Sequence, residues 1–178
     1  MYEVSLDSVA HLSDDDRAAV RELTLAVYSP ERHADWPGRE VGWATPRWCV
    51  RVRGADGGLA CFAGVYLRDA TWDGRAVRVG GVGNVKTHPA ARRRGYGGAA
   101  VRRAVEFFDE QGADFALLVC EPLLTGYYAR LGWAPFAGRL LVRQGGAVAE
   151  FTLNRAMTLG VRSAGPASGT IDLCGPPW

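Results

Sequence analysis

The stretch Val85-Lys86-Thr87-His88-Pro89-Ala90-Ala91-Arg92-Arg93-Arg94-Gly95-Tyr96-Gly97-Gly98 constrains the fold more than any other part of the chain. A valine- and glycine-rich strand, Ala76 to Thr87, runs into a basic loop. Glycines then open a helix from Gly95 to Gly112, with Val101, Ala104, Val105 and Phe108 on one face. Gly112 stops it. Glycine lets backbone amides approach an anion with no side chain in the way. The first turn of a helix leaves N–H groups unpaired at the positive end of its dipole. Arginines beside it add charge-assisted hydrogen bonds. Strand, loop and helix therefore form a phosphate-binding unit. A solvated arginine loop before a glycine-tolerant helix is the plain alternative.

The rest of the chain supplies a sheet for that unit. Tyr2 to Leu6 alternates as a strand. Ser13 caps a helix with Asp14, Asp15 and Asp16 in its first turn and Val20, Leu23 and Val27 on its buried stripe. A broken stretch from Ser29 to Pro46 holds His33, Asp35, Trp36 and Trp43. Strands are expected at Trp48 to Arg53, Leu59 to Leu67 and Phe115 to Cys120, and again at Arg139 to Arg143 and Val148 to Leu153. Glu121-Pro122 opens a second helix that ends at Gly132. Gly80, Gly81, Gly83 and Asn84 point to a bulge or to close approach of a ligand. The expected fold is a single mixed α/β domain over residues 1–178, with 162–178 as a tail.

Composition narrows the function. The 178 residues carry 21 Lys+Arg against 19 Asp+Glu, too balanced for a nucleic-acid surface, and Lys86 is the sole lysine. No apolar run reaches membrane-spanning length, and the N-terminus has no secretory pattern, so a cytoplasmic protein with reduced thiols is expected. Cys49, Cys61, Cys120 and Cys174 form no C-x-x-C pair, so no metal is expected.

Gly95-x-Gly97-x-x-Ala100 also fits a dinucleotide fingerprint, with Glu121 as the downstream acid. That fingerprint needs its first glycine near the strand end. Here a Pro-containing basic stretch intervenes, and the strand before it reads as part of a hairpin. An NAD-dependent oxidoreductase therefore ranks last.

Arg92-x-x-Gly95-x-Gly97 resembles the pyrophosphate loop of the GCN5-related N-acetyltransferase (GNAT) superfamily. Tyr127-Tyr128-Ala129-Arg130-Leu131-Gly132-Trp133, after the strand Phe115 to Cys120, resembles that family's second signature. The resemblance runs from the Ser13 helix to about Leu153. It implies a twisted, mostly antiparallel mixed sheet flanked by helices, whose two central parallel strands splay apart. It implies acetyl-CoA as co-substrate, held by Val85, Lys86 and Thr87 along the strand and by Arg92, Arg93, Arg94, Gly95, Tyr96, Gly97 and Gly98 at the loop. Direct acetylation of a small-molecule amine through a tetrahedral intermediate would then need no nucleophilic cysteine. Tyr128 would be the general acid toward the departing thiolate.

Many relatives place a glutamate where this chain has Gly81-Val82-Gly83-Asn84. Glu121 is the substitute, as base through water or as counter-charge to the substrate ammonium. A helix-start carboxylate beside Pro122 is the plain alternative. The missing glutamate also motivates a second class of function, a non-catalytic coenzyme A-binding sensor or interaction module. A weaker resemblance to the aminoglycoside 2'-N-acetyltransferase branch rests on Asp35-Trp36, Gly132-Trp133 and the end Ile171 to Trp178. It implies that Asp35, Trp36 and Trp178 contact the acceptor, with the tail folded onto an acidic cleft. A sheet-edge homodimer is expected by analogy with the family.

Overall fold

The computed structural model describes residues 1–29 and 35–178. His33 lies outside them. The strands and α-helices are β1 Glu3–Ser8, α1 Asp14–Val27, β2 Trp48–Arg53, β3 Leu59–Trp72, β4 Arg75–Thr87, α2 Tyr96–Glu110, β5 Phe115–Cys120, α3 Thr125–Ala129, β6 Ala134–Pro135, β7 Arg139–Gln144, β8 Ala147–Glu150, β9 Arg155–Gly160 and β10 Thr170–Asp172. The sheet runs β6-β9-β5-β4-β3-β10-β7-β8, with β2 also on β3 and β1 on β2.

The two long strands organise everything else. β3 pairs antiparallel with β4 from Cys61–Thr87 to Trp72–Arg75, so the Asp73-Gly74 turn closes a long hairpin. β3 also holds β2 at its first half and β10 at Trp72. β4 pairs in parallel with β5 over only four residues, Val79–Phe115 to Val82–Leu118. Beyond that point β5 continues on β9 and β4 on β3, and the two parallel strands splay apart. The splay expected from the family resemblance is therefore present.

Helix α1 begins as its sequence dictates: the Ser13 hydroxyl accepts from the Asp16 N–H at 3.1 Å. Asp16 in turn receives Arg53 at 2.7 Å and pairs with Arg51, tying the helix start to β2. Leu23 is buried against Cys49 and Phe62, with Val20 and Val27 beside it. Helix α2 lays Val101, Ala104 and Phe108 on the sheet. Gly80 is bare because the Phe108 ring occupies the place of its side chain, 2.3 Å from where a Cβ would stand.

Three expectations change. The second helix is short: a 3-10 turn, Pro122–Leu124, precedes the five-residue α3. The strand expected to reach Leu153 stops at Glu150, and β9 follows as a separate strand between β5 and the short edge strand β6. The tail is built in. β10 inserts between β3 and β7, parallel to β7 and antiparallel to β3.

Candidate active site

The splay opens a cavity of about 550 Å³ that exposes both diverging strands. Val82 to Val85 of β4 form one wall, and Val119 to Glu121 at the end of β5 form the other. Tyr28, Trp36, Arg39, Trp43 and Tyr66 line it further, with Tyr128 and Trp178.

The β4 wall carries a built distortion. Gly83 pairs with Gly64 and Lys86 with Phe62, so Asn84 and Val85 oppose Ala63 alone. Asn84 has a φ of 53°, the left-handed conformation of a bulge. The bulge expected from the glycine run is thus at Asn84. Gly81 and Gly83 serve a different purpose from the expected ligand approach: Trp178 fills the space over both. A Cβ on Gly81 would stand 2.3 Å from the indole, and one on Gly83 2.8 Å from the Trp178 backbone carbon.

The basic loop follows directly. His88 accepts from the Ala90 N–H through Nδ1 and donates its own N–H to the Ala60 carbonyl, a positional role. Arg93 and Gly95 both have positive φ, 63° and 83°, which turns the chain sharply into α2. Arg92, Arg93, Arg94 and Gly95 are all exposed at that helix start. Their side chains diverge. Arg92 Nε reaches back to the Thr87 carbonyl at 3.4 Å, while Arg94 and Tyr96 line a separate groove against the Gly54–Gly58 turn. Tyr96 also meets Tyr2 edge-on at 5.4 Å, so its ring is taken up by the N-terminal strand region. Gly97 leaves room for Tyr127, whose hydroxyl lies 2.7 Å from where a Cβ would stand. That contact pins α3 onto the start of α2.

The Lys86 side chain is outside the cavity lining. It is 3% exposed, and its Nζ donates to Thr24 Oγ1 at 2.8 Å, on α1. The ammonium also stands 5.0 Å over the Phe62 ring. Burial pushes its pKa down to about 8. What Lys86 can offer a ligand is backbone.

Tyr128 is 6% exposed and lines the cavity. Burial, then the neighbouring Tyr127 and Cys120, push its phenol well above the usual tyrosine value. It is protonated throughout the neutral range, the state a proton donor needs. Tyr28, at the end of α1, faces the same space. Burial raises its phenol too; the Glu121 charge adds to this and Arg92 opposes it. Sequence reasoning missed Tyr28, which ends an unremarkable helix. Glu121 is exposed at the cavity mouth, beside Cys120, whose thiol burial pushes up to about 11. Cys120 is inert as a nucleophile at neutral pH.

Of the expected acceptor contacts, Trp36 and Trp178 line the cavity, and Asp35 is exposed and outside its lining. Trp36 stacks on Trp43 at 5.9 Å, nearly parallel. Among the described lining residues, the charged side chains are Arg39 and Glu121. The wall is aromatic rather than acidic.

Comparison with known proteins agrees with this geometry. The acetyltransferase (GNAT) domain family matches residues 8–136, and the chain belongs to that family. Glucosamine 6-phosphate N-acetyltransferase 1 of Oryza sativa subsp. japonica is 42% identical over 79 residues, 44% of this chain and 47% of that protein. The chain thus matches about half the length of this curated relative. Among solved structures, Escherichia coli ElaA superposes with a TM-score of 0.62 at 18% identity, covering 89% of this chain and 99% of that one. Escherichia coli YhbS, a GNAT family N-acetyltransferase solved in complex with CoA, superposes with a TM-score of 0.61 at 14% identity, covering 97% and 89%. At these identities the likeness is one of fold. Among the described residues no helix is long and apolar enough to cross a membrane, and no group of three or more His, Cys, Asp or Glu is placed to hold a metal.

Proposed function

We propose that the chain transfers the acetyl group of acetyl-CoA directly to the primary amine of a small molecule, with an amino sugar carrying one anionic group as the favoured acceptor. One observation carries the reading. β4 and β5 part at Val82 and Leu118, and a buried, protonated Tyr128 stands at the opening.

Acetyl-CoA would supply an activated thioester. The amides of the α2 start, Gly95 to Gly98, and the arginines beside them hold its pyrophosphate. The β4 edge from Asn84 to Thr87 pairs with its pantetheine arm, and the outward turn of the bulge keeps that edge accessible. Glu121 holds the acceptor ammonium at the mouth and takes its proton, directly or through water. The neutral amine nitrogen adds to the acetyl carbon to give a tetrahedral intermediate; as it collapses the carbon–sulfur bond breaks, Tyr128 gives its proton to the departing sulfur, and the proton lost by the new amide nitrogen restores the Tyr128 phenol.

The aromatic wall of Trp36, Trp43 and Tyr66 suits the apolar face of a sugar ring. Arg39, a guanidinium in the cavity lining, suits an anion. This charge balance favours an amino sugar phosphate over a polycationic aminoglycoside. The name of the rice relative supports the same substrate class.

The test is thiol release from acetyl-CoA with glucosamine 6-phosphate, glucosamine, aminoglycosides, polyamines and amino acids as acceptors. The amino sugar phosphate should give the highest kcat/KM. Acetyl-CoA should raise the melting temperature and NAD should leave it unchanged. Binding of acetyl-CoA without turnover of any amine would replace the reading with a coenzyme A-binding module.

A further inference from the structure

Trp178 lies deeper in the cavity than a wall residue for the acceptor needs to. Its indole sits over Gly81, below the bulge, and Nε1 donates to the Leu117 carbonyl of β5 at 3.0 Å. One face of the ring stacks on Tyr66 at 5.4 Å with 16° between planes. The Arg68 guanidinium stands 4.9 Å from the ring centroid. Arg68 also donates to the Pro176 carbonyl at 2.7 Å. Tyr66 donates to the Ala44 carbonyl at 3.2 Å, and the Ala44 N–H donates to the Pro177 carbonyl at 2.7 Å. The ring is 3% exposed. It is a wedge held from several sides, standing just where β4 and β5 begin to part.

We propose that the Arg68–Trp178–Tyr66 stack sets the length of acyl group the enzyme can transfer, restricting it to acetyl. The inference rests on the proposed function and follows from direction. A pyrophosphate at the Gly95 loop sends the pantetheine arm back along β4, from Thr87 toward Asn84. The acyl group beyond the thioester then points on toward Gly83 and Gly81. The space over those two glycines is already taken by Trp178, so an acyl chain longer by two carbons meets a packed indole. Glycine at 81 and 83 admits the wedge; any larger residue on this face of β4 would expel it. The chemistry with a longer donor is the same displacement: the amine nitrogen bonds to the acyl carbon, the carbon–sulfur bond breaks, and coenzyme A leaves as the thiol. Arg68 is a positioning residue here, acting through the indole.

The experiment compares acetyl-, propionyl- and butyryl-CoA with the unaltered chain and with Trp178→Ala, Trp178→Phe and Arg68→Gln. Dissociation constants come from calorimetry in the absence of acceptor, and kcat/KM from thiol release. The unaltered chain should prefer acetyl- over butyryl-CoA by at least about tenfold in both readouts. Trp178→Ala should reduce that preference about tenfold, and Trp178→Phe and Arg68→Gln should do so in part. Arg68→Lys should restore most of the preference that Arg68→Gln loses. If Trp178→Ala does not fold, Trp178→Phe carries the test, because it keeps a ring on Tyr66. Folded variants with an unchanged ratio of acetyl to butyryl binding would overturn the proposal. An unaltered chain that neither binds nor turns over acetyl-CoA would instead overturn the function on which it rests.

Discussion

Two buried polar side chains near the bulge do opposite work. Tyr128 keeps its proton because burial disfavours the phenolate, and a donor that is protonated at every working pH contributes no titration of its own to activity. Tyr128→Phe removes the proton and leaves the ring. We expect kcat to fall about 10²-fold or more, with the dissociation constant for acetyl-CoA unchanged by calorimetry. Lys86 loses its proton more easily than a free lysine, from 10.5 down to about 8, because burial disfavours the ammonium. Below about pH 8 it is charged in both the folded and unfolded chain. Between pH 8 and 10.5 the folded chain has released a proton that the unfolded chain still holds, so the contribution of Lys86 to stability rises with pH across that window, while the raised thiols of Cys49 and Cys120 act in the opposite sense between pH 9 and 11. Between pH 8 and pH 10 the unaltered chain should therefore gain about 1–3 kcal/mol relative to Lys86→Met, measured by denaturant unfolding of both. The same pH dependence in both chains would show that Lys86 does not titrate in that window.

At the scale of elements, strong local chemistry made some parts readable. The Ser13 cap with its acidic turn gave α1, and the Asp73-Gly74 turn gave the β3–β4 hairpin. The apolar face of α2 was plain from Val101 to Phe108. The missed strands are those with weak local signals. β9 follows β8 after a four-residue break and carries Arg155 at its start, yet tertiary pairing with β5 along its whole length makes it a strand of the sheet. β10 is three residues long and exists because β3 and β7 present edges to it. α3 is short because the 3-10 turn Pro122–Leu124 takes up the residues before it and Gly132, with a φ of 90°, ends the turn after it. Motif residues marked the turn from β4 into α2. They did not tell that Arg94 and Tyr96 turn away, because side-chain direction in a loop depends on the Gly54–Gly58 turn packed beside it.

At the scale of the whole molecule, the glycines of β4 and the final tryptophan are one feature read from two distant places. Sequence alone left Gly81 and Gly83 as a gap in a catalytic pattern, and the fold closes that gap with residue 178. The tail is thus part of the sheet and of the cavity at once. Arg143 forms a two-pronged pair with Asp172, at 2.9 and 3.1 Å, which locks it further. Truncation at Gly169 should therefore lower the melting temperature by at least 10 °C in calorimetry, since it strips β10 from between two strands and bares Leu140 and Val79 of the inner core. A truncated chain that melts as the full chain does, with only turnover reduced, would show the tail to be an appendage.

The splay has a consequence for how the protein behaves at rest. Past Val82, β4 has a strand on one side only, so the sheet contains an unfinished edge in its own interior. Such edges are the places where other chains add strands and aggregation begins. This one is recessed between β5 and the aromatic wall, inside the cavity rather than at the rim of the sheet. A ligand that lies along it does for this sheet what a missing strand would do, and amide hydrogens at Val85 and Thr87 should exchange more slowly as soon as it arrives.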